Sequence, residues 1–139
     1  MTMIAPPVPI ANVDKFLSVV GQWNLYDMQI RCVRWESERV GTGTLELCLY
    51  LGADNIKRRP PGAPATEYEF VFRFDGTEGL FIDDFAGSIL GEHEFEARVA
   101  PNGAEFIDVS LSSVNAGDIH FLCSSISVVS VRELPIRAA

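Results

Sequence analysis

The sequence has few cysteines and few basic residues. Cys32, Cys48 and Cys123 are odd in number, widely spaced and without a Cys-x-x-Cys unit, which argues against both a disulfide framework and a zinc site. We expect three reduced, buried thiols. Only 11 lysines and arginines oppose 19 aspartates and glutamates, giving a formal net charge of -8. Because such a chain repels phosphate backbones, no nucleic-acid partner is expected, whereas a basic protein partner would be attracted.

Long apolar runs are also missing. The opening MTMIAPPVPI has no basic start and is interrupted by three prolines, and no run approaches the ~18 apolar residues of a membrane span. This pattern indicates a cytoplasmic protein without a membrane partner. A chain of 139 residues fits a single domain, residues 1–139. Its hydrophobic share of 47% favours a sheet covered on both faces or a buried homodimer interface.

Catalytic and cofactor motifs are absent from the sequence. The segment GTGTLE at residues 41–46 lacks the third glycine and the following helix of a phosphate loop, and no Gly-x-Ser-x-Gly unit occurs. Asp83 and Asp84, or the EHEFE stretch at residues 92–96, could offer metal ligands. On a strand, however, the three glutamates of EHEFE would share one face and His93 the other. We therefore expect no enzyme activity, no cofactor and no metal.

Helical periodicity occurs once, directly after a proline-rich segment at residues 1–11. ANVDKFLSVVG offers Asn12 or Asp14 as N-cap and Gly21 as a C-terminal stop, which predicts one short helix. The rest of the chain alternates with period two and leaves no room for crossover helices. The predicted fold class is mainly β, α+β at the margin: an antiparallel β-sheet or sandwich of about seven or eight strands with one short N-terminal helix.

Turn residues divide the β region into strands. Polar residues 36–43 predict a hairpin connection, and residues 52–66 a long Pro/Gly/basic loop. Asp75-Gly76 predicts a turn that ends a strand, and residues 101–103 a hairpin between two alternating runs. The final run, residues 118–131, is long enough to provide two strands.

The first strand contains a change of phase. Met28, Ile30 and Cys32 alternate with polar residues, after which Val33 and Trp35 carry apolar character onto the opposite face. This predicts a bulge or a strong twist.

The stretch GQWNLYDMQIRCVRW, residues 21–35, sets Tyr26 and Asp27 between two tryptophans. A tryptophan followed by a leucine-aromatic-aspartate step into a strand, then FRFDGTEGLFIDDF and a late DIHFLC strand, resembles the immunity protein fifty family of bacterial polymorphic-toxin systems. The family's usual opening has a histidine directly before the aspartate, where this chain has Tyr26. The resemblance implies a small, cytoplasmic, mostly β protein that neutralises a cognate toxin by binding it.

Two functions follow as hypotheses. The first is a non-enzymatic protein-binding module, an immunity protein acting by occlusion, with Trp23, Tyr26, Asp27 and Trp35 as partner-binding residues because exposed aromatics beside a charge make interface anchors. The same residues could instead only build the entry into the first strand, with Asp27 forming a turn or accepting from the indole N–H. The alternative function is a small-ligand-binding β-barrel or sandwich whose aromatic strand face, Tyr68 to Phe74, lines a cavity. Such a row is also typical of a core.

Overall fold

The computed structural model describes residues 5–52, 66–83, 89–114 and 117–135. Within these residues one helix precedes seven strands of a single antiparallel sheet, which confirms the mainly β fold class. The predicted loop at residues 52–66 lies outside the described residues except at its two ends. The elements are α1 Val13–Val20, β1 Gln29–Arg39, β2 Thr42–Leu51, β3 Thr66–Asp83, β4 Leu90–Val99, β5 Glu105–Ser113, β6 Asp118–Cys123 and β7 Ser125–Pro135.

The predicted helix is confirmed as α1. It ends at Gly21, whose left-handed φ of 88° lets its N–H donate to Leu17 O at 2.8 Å. Asn12 occupies the N-cap position with a φ of 61°, but its side chain makes no capping hydrogen bond. Phe16 is fully buried, and its ring lies 4.9 Å from that of Phe70. The helix is thus held to the sheet by its apolar face.

The longest strand, β3, changes partner along its length. The path of the sheet is β1-β2-β3-β6-β5-β4, and β7 pairs with β3 outside this path. One edge of β3 pairs with β2, and the other pairs first with β7 and then with β6. The final run of the sequence therefore forms two strands, as predicted, with Ser124 between them.

The sheet curls until its two end strands meet at one corner. Gln29, the first residue of β1, bridges Ile89, which precedes β4. Beside this bridge, Leu90 N donates to Met28 O at 2.8 Å. The core lies on the concave inner face of the sheet. Strand β2 shows this clearly, because more exposed residues alternate with its buried leucines: Leu45, Leu47, Leu49 and Leu51.

One turn prediction is wrong, and the hairpin connection predicted at residues 36–43 is confirmed but is shorter than expected. β3 continues through Asp75-Gly76 because at this point the strand leaves β7 and joins β6, and Gly76 supplies a positive φ of 61° for the bend. The polar residues 36–39 belong to β1, so only Val40 and Gly41 connect β1 to β2. In both places a polar sequence is compatible with a strand, since one face of that strand is solvated.

The bulge predicted in the first strand is confirmed. Between Ile30 and Cys32 the register with β2 shifts by one, so that Arg31 is the extra residue. The bulge also explains the change of phase in the sequence. The extra residue keeps Val33 and Trp35 on the inner face together with Ile30, because all three oppose inward leucines of β2.

The β4–β5 hairpin is confirmed around residues 101–103. Gly103 has a φ of 87°, and Asn102 Oδ1 accepts a hydrogen bond from Ala104 N at 3.0 Å. In the part of the chain that the structure describes, no helix is long and apolar enough to cross a membrane.

Candidate functional site

Trp23, the first predicted partner-binding residue, belongs to the core. It is 7% exposed, and its ring lies 5.4 Å from that of Phe16 and 5.2 Å, nearly perpendicular, from that of Phe95. Leu25, two residues on, is buried as well. Since an interface anchor must reach the surface, Trp23 acts by holding the segment that leads into β1.

His93 on β4 packs against the segment that leads into β1. Its Nε2 accepts a hydrogen bond from Leu25 N at 3.4 Å, and its Nδ1 lies 3.2 Å from Gly91 O, which makes Nδ1 the protonated nitrogen. Burial lowers the pKa of His93 below its ordinary value of 6.5. His93 is therefore a neutral structural ring beneath the segment.

Tyr26 and Asp27 lie at the surface, beside the first residues of β4. Asn24 Oδ1 accepts from Tyr26 N at 2.8 Å, and this turn leaves the Tyr26 side chain 51% exposed. Asp27 adopts a φ of 69° and donates its N–H to Leu90 O at 3.0 Å. Tyr26 is the one exposed aromatic of this segment.

Trp35 lies elsewhere, on the inner face of β1 and 39% exposed. Its indole packs on the bare Cα of Gly43, where a Cβ would come within 2.8 Å of Trp35 Cζ2. Roughly 20 Å of extended strand separates Trp35 from Tyr26. The four residues predicted as one site are therefore not brought together, because a sequence neighbourhood that runs along a strand is spread out in space.

The aromatic row predicted as a cavity wall is core for most of its length. Phe70, Phe72 and Phe74 are almost completely buried, and Phe74 contacts Phe121 at 4.8 Å between ring centroids. Tyr68 is partly exposed, and its hydroxyl donates to Glu133 Oε1 at 3.3 Å. These rings pack against other buried aromatic side chains, among them Phe16 and Trp23.

The outer face of β4, β5, β6 and the last third of β3 is strongly acidic. Side chains opposite one another in register share a face, so the pairing of these strands collects their outward carboxylates on one surface. We call this surface the acidic face; the carboxylates that the strand register places on it are Glu78, Asp83, Glu94, Glu96, Asp108 and Asp118.

Two basic side chains, Arg98 and His120, also lie on the acidic face, and both contact Asp108. Arg98 Nε is 3.1 Å from Asp108 Oδ2, and its Nη2 is 3.1 Å from Glu96 Oε2. His120 Nε2 is 2.8 Å from Asp108 Oδ1. Among the described residues, no ion pair joins the other four carboxylates of the acidic face.

Phe81 lies within the acidic face and is 57% exposed. It opposes His120 in register, next to the facing pair Asp83 and Asp118. Sequence reasoning missed Phe81 because Leu80, Phe81 and Ile82 are all apolar, so period two cannot say which of them faces out. An aromatic between acidic residues at a strand end is the signal that could have identified it.

The other half of the outer surface carries most of the described cations. Glu46 accepts from Arg34 at 3.3 Å and from Arg73 at 3.1 Å, and the guanidinium of Arg31 lies 3.4 Å from the ring centroid of Tyr50. Arg132 pairs with Glu69 at 3.0 Å. Among the described residues, the net negative charge is therefore concentrated on the acidic face rather than spread evenly.

A separate apolar groove of about 830 Å³ lies between the N-terminal segment and the tip of the β4–β5 hairpin. Val8, Ile10 and Ile107 contribute to its floor, and Val99 to its rim. Over residues 5–52, 66–83, 89–114 and 117–135, no group of three or more His, Cys, Asp or Glu side chains could hold a metal ion.

The chain matches no family model, and its comparison with curated proteins and with solved structures gives no significant similarity.

Proposed function

We propose that this protein is a non-enzymatic protein-binding module, an immunity protein of the cytoplasm that neutralises a cognate bacterial toxin by covering it. The observation that carries the proposal is the acidic face with the exposed Phe81 inside it. The resemblance of the sequence to the immunity protein fifty family supports the same function.

Charge complementarity supports a basic partner. Four carboxylates of the acidic face form no ion pair within the described residues and present negative charge to solvent, and such a surface accelerates encounter with a positively charged protein. A toxin that acts on nucleic acid must itself be basic where it holds phosphates. Covering that surface would exclude the substrate of the toxin without any chemistry by this protein.

Phe81 and Tyr26 supply the apolar part of the interface. Each is about half exposed, and aromatic side chains of this kind dominate the binding energy of protein interfaces. Phe81 lies on β3, while Tyr26 lies beside β4, the strand at the opposite margin of the acidic face. Because the Tyr26 ring contacts His93, which opposes the buried Leu111 on the inner face, an interface that includes both aromatics must extend from the acidic face past the edge of β4.

The test is binding to the product of the adjacent gene, measured by pull-down and by isothermal titration calorimetry. We expect a stoichiometric complex at micromolar concentration whose association slows as salt is raised. Phe81→Ala should weaken it at least ~30-fold, since a hot-spot aromatic contributes about 2 kcal/mol or more. Glu94→Lys should also weaken it and should remove protection of cells that express the toxin.

Glu36→Lys is the matched control, because Glu36 is exposed on the outer side of β1, on the other half of the sheet. It makes the same change in net charge and should leave binding intact. Equal losses for Glu36→Lys and Glu94→Lys would reduce the effect to overall charge and contradict the acidic face as the interface. No complex at all would end the proposal.

Self-association is a second part of the proposal. One edge of β1 pairs with β2, and apart from the bridge at Gln29 no described strand pairs with its other edge. On the inner face of the same strand, Val33 and Trp35 are partly exposed. An open edge with apolar side chains favours pairing with a second copy of the chain. We therefore propose a homodimer joined along β1.

The alternative function, binding of a small ligand, is favoured by one observation: the groove between the N-terminal segment and the β4–β5 hairpin has the volume of a typical ligand pocket. An apolar fluorescent probe such as anilinonaphthalene sulfonate tests it. Saturable binding that Ile107→Asp abolishes and Phe81→Ala leaves unchanged would favour the groove. Probe binding only to unfolded protein would eliminate it.

A further inference from the structure

Cys32 and Cys48 lie directly opposite one another on neighbouring antiparallel strands. Residues paired in this way have Cα atoms about 4.5–5.5 Å apart and side chains on the same face of the sheet. A disulfide needs a Cα separation of about 4.4–6.8 Å. The two thiols therefore satisfy the spacing of a disulfide without movement of either strand.

The bulge at Arg31 creates this pairing. Ile30 opposes Leu49, so an uninterrupted register would set Cys32 opposite Leu47 on the inner face. The extra residue moves Cys32 opposite Cys48, and both side chains then lie on the outer face. Cys32 is exposed and Cys48 is partly buried, whereas Cys123 is buried on β6. The expectation of three buried thiols is thus met only by Cys123.

We propose that Cys32 and Cys48 form an oxidation site, at which a peroxide converts the two thiols into a disulfide across β1 and β2. The proposal is independent of toxin binding, since it concerns the half of the outer surface that lies away from the acidic face.

The reaction proceeds in two steps with hydrogen peroxide as the oxidant. The thiolate of Cys32 attacks one peroxide oxygen; an S–O bond forms, the O–O bond breaks, and the departing hydroxide takes up a proton as water. Cys32 is then a sulfenic acid. The sulfur of Cys48 attacks the sulfur of Cys32; the S–S bond forms, the S–O bond breaks, and the second hydroxide leaves as water with the proton of Cys48. Two thiols and one peroxide give one disulfide and two waters.

The surroundings assign different roles to the two cysteines. Cys32 is the residue that meets the oxidant because it is the exposed one. Burial and the hydrogen bond to Glu69 raise the pKa of Cys48 to about 11, so Cys48 stays protonated until it meets the sulfenic acid. The carboxylate of Glu69, which accepts that hydrogen bond, is placed to take this proton from Cys48 and pass it to the departing hydroxide in the second step. Cys48 is therefore the resolving thiol.

The experiment treats the reduced full-length protein with a small molar excess of hydrogen peroxide and then alkylates it under denaturing conditions. We expect the monomer to lose the mass of two hydrogen atoms and to retain one alkylated cysteine, Cys123. Trypsin cuts the sequence so that Cys32 lies in the peptide 32–34 and Cys48 in the peptide 40–57. These two peptides should be found linked, and a thiol reductant should separate them.

Single substitutions separate the roles. Cys123→Ala should give the same linked peptides as the natural sequence. Cys48→Ala should remove the link and leave Cys32 as a sulfenic acid, detectable with dimedone, or as an intermolecular disulfide. Retention of all three alkylated thiols after treatment, or Cys32–Cys32 dimers in the natural sequence while Cys48 stays alkylated, would overturn the proposal. The first measurement uses the unmodified chain, so a poorly folded variant cannot decide the outcome.

Discussion

The ring of His93 lies edge-on to the ring of Tyr26, with the two centroids 5.0 Å apart. Through this contact and the hydrogen bond from Leu25 N, the neutral imidazole of His93 stabilises the segment that places Tyr26 at the surface. The protonation of His93 is therefore coupled to the stability of that segment.

The first prediction is that stability falls as the pH is lowered below about 6.5. Because the pKa of His93 is lowered in the folded state, the unfolded chain binds a proton in this range that the native ring resists. The free energy of unfolding should therefore decrease by less than ~1.4 kcal/mol per pH unit, the limit for one proton. Urea unfolding at a series of pH values between about 5 and 8, the range in which histidine titrates, measures this change in the free energy of unfolding.

His93→Gln should remove this part of the pH dependence, while His120→Gln, on the outer face, should retain it. Parallel profiles for the natural chain and His93→Gln would show that His93 is not the group responsible. Comparing these two variants cancels the contribution of the carboxylates that titrate at lower pH.

The second prediction concerns the attachment of α1. Phe16→Ala should lower the free energy of unfolding by about 3–5 kcal/mol, because it empties a fully buried site between Phe70, Phe72 and Trp23. Chemical denaturation followed by tryptophan fluorescence measures the loss. Lys15→Ala, an exposed neighbour on the same helix, is the control and should change stability little. A small effect of Phe16→Ala would mean that the helix does not cover the core.

The third prediction concerns the contact between Trp35 and Gly43. Gly43→Ala should destabilise the protein by about 1–3 kcal/mol, because the new methyl group would collide with Glu36 O and press on Trp35 Cζ2. Thermal unfolding and the emission of Trp35 report it. At Gly52 a Cβ meets only ordinary contacts at 3.6 Å, so Gly52→Ala should be nearly neutral.

The fourth prediction concerns the edge of β1. If two copies of the chain pair there, Val33→Lys should shift sedimentation from dimer to monomer, since a charge on an edge strand opposes pairing. Val40→Lys makes the same change at the fully exposed turn beyond the strand and should keep the dimer. A natural chain that sediments as a monomer at every practical concentration would contradict the dimer itself.

The sequence predicts much of the fold because period-two alternation and turn residues are local signals. Helix α1 with Gly21, the hairpin at residues 101–103 and the bulge in β1 are all confirmed for this reason. The continuation of β3 through Asp75-Gly76 could not be predicted, because it depends on a change of pairing partner that no local pattern records.

The candidate site is harder to predict than the fold. Trp23 and Tyr26 are three residues apart, yet the first is buried and the second exposed, because burial depends on what the loop meets at β4. The acidic face gathers carboxylates from four strands, so it becomes visible only once the strand order is known.

The change of pairing partner along β3, from β7 to β6, also determines how the molecule unfolds. One continuous backbone serves both the β2–β7 region and the β6–β5–β4 region, and its aromatic side chains anchor the helix as well. Neither region can detach without stripping hydrogen bonds from the same strand, which makes the whole domain a single cooperative unit in unfolding.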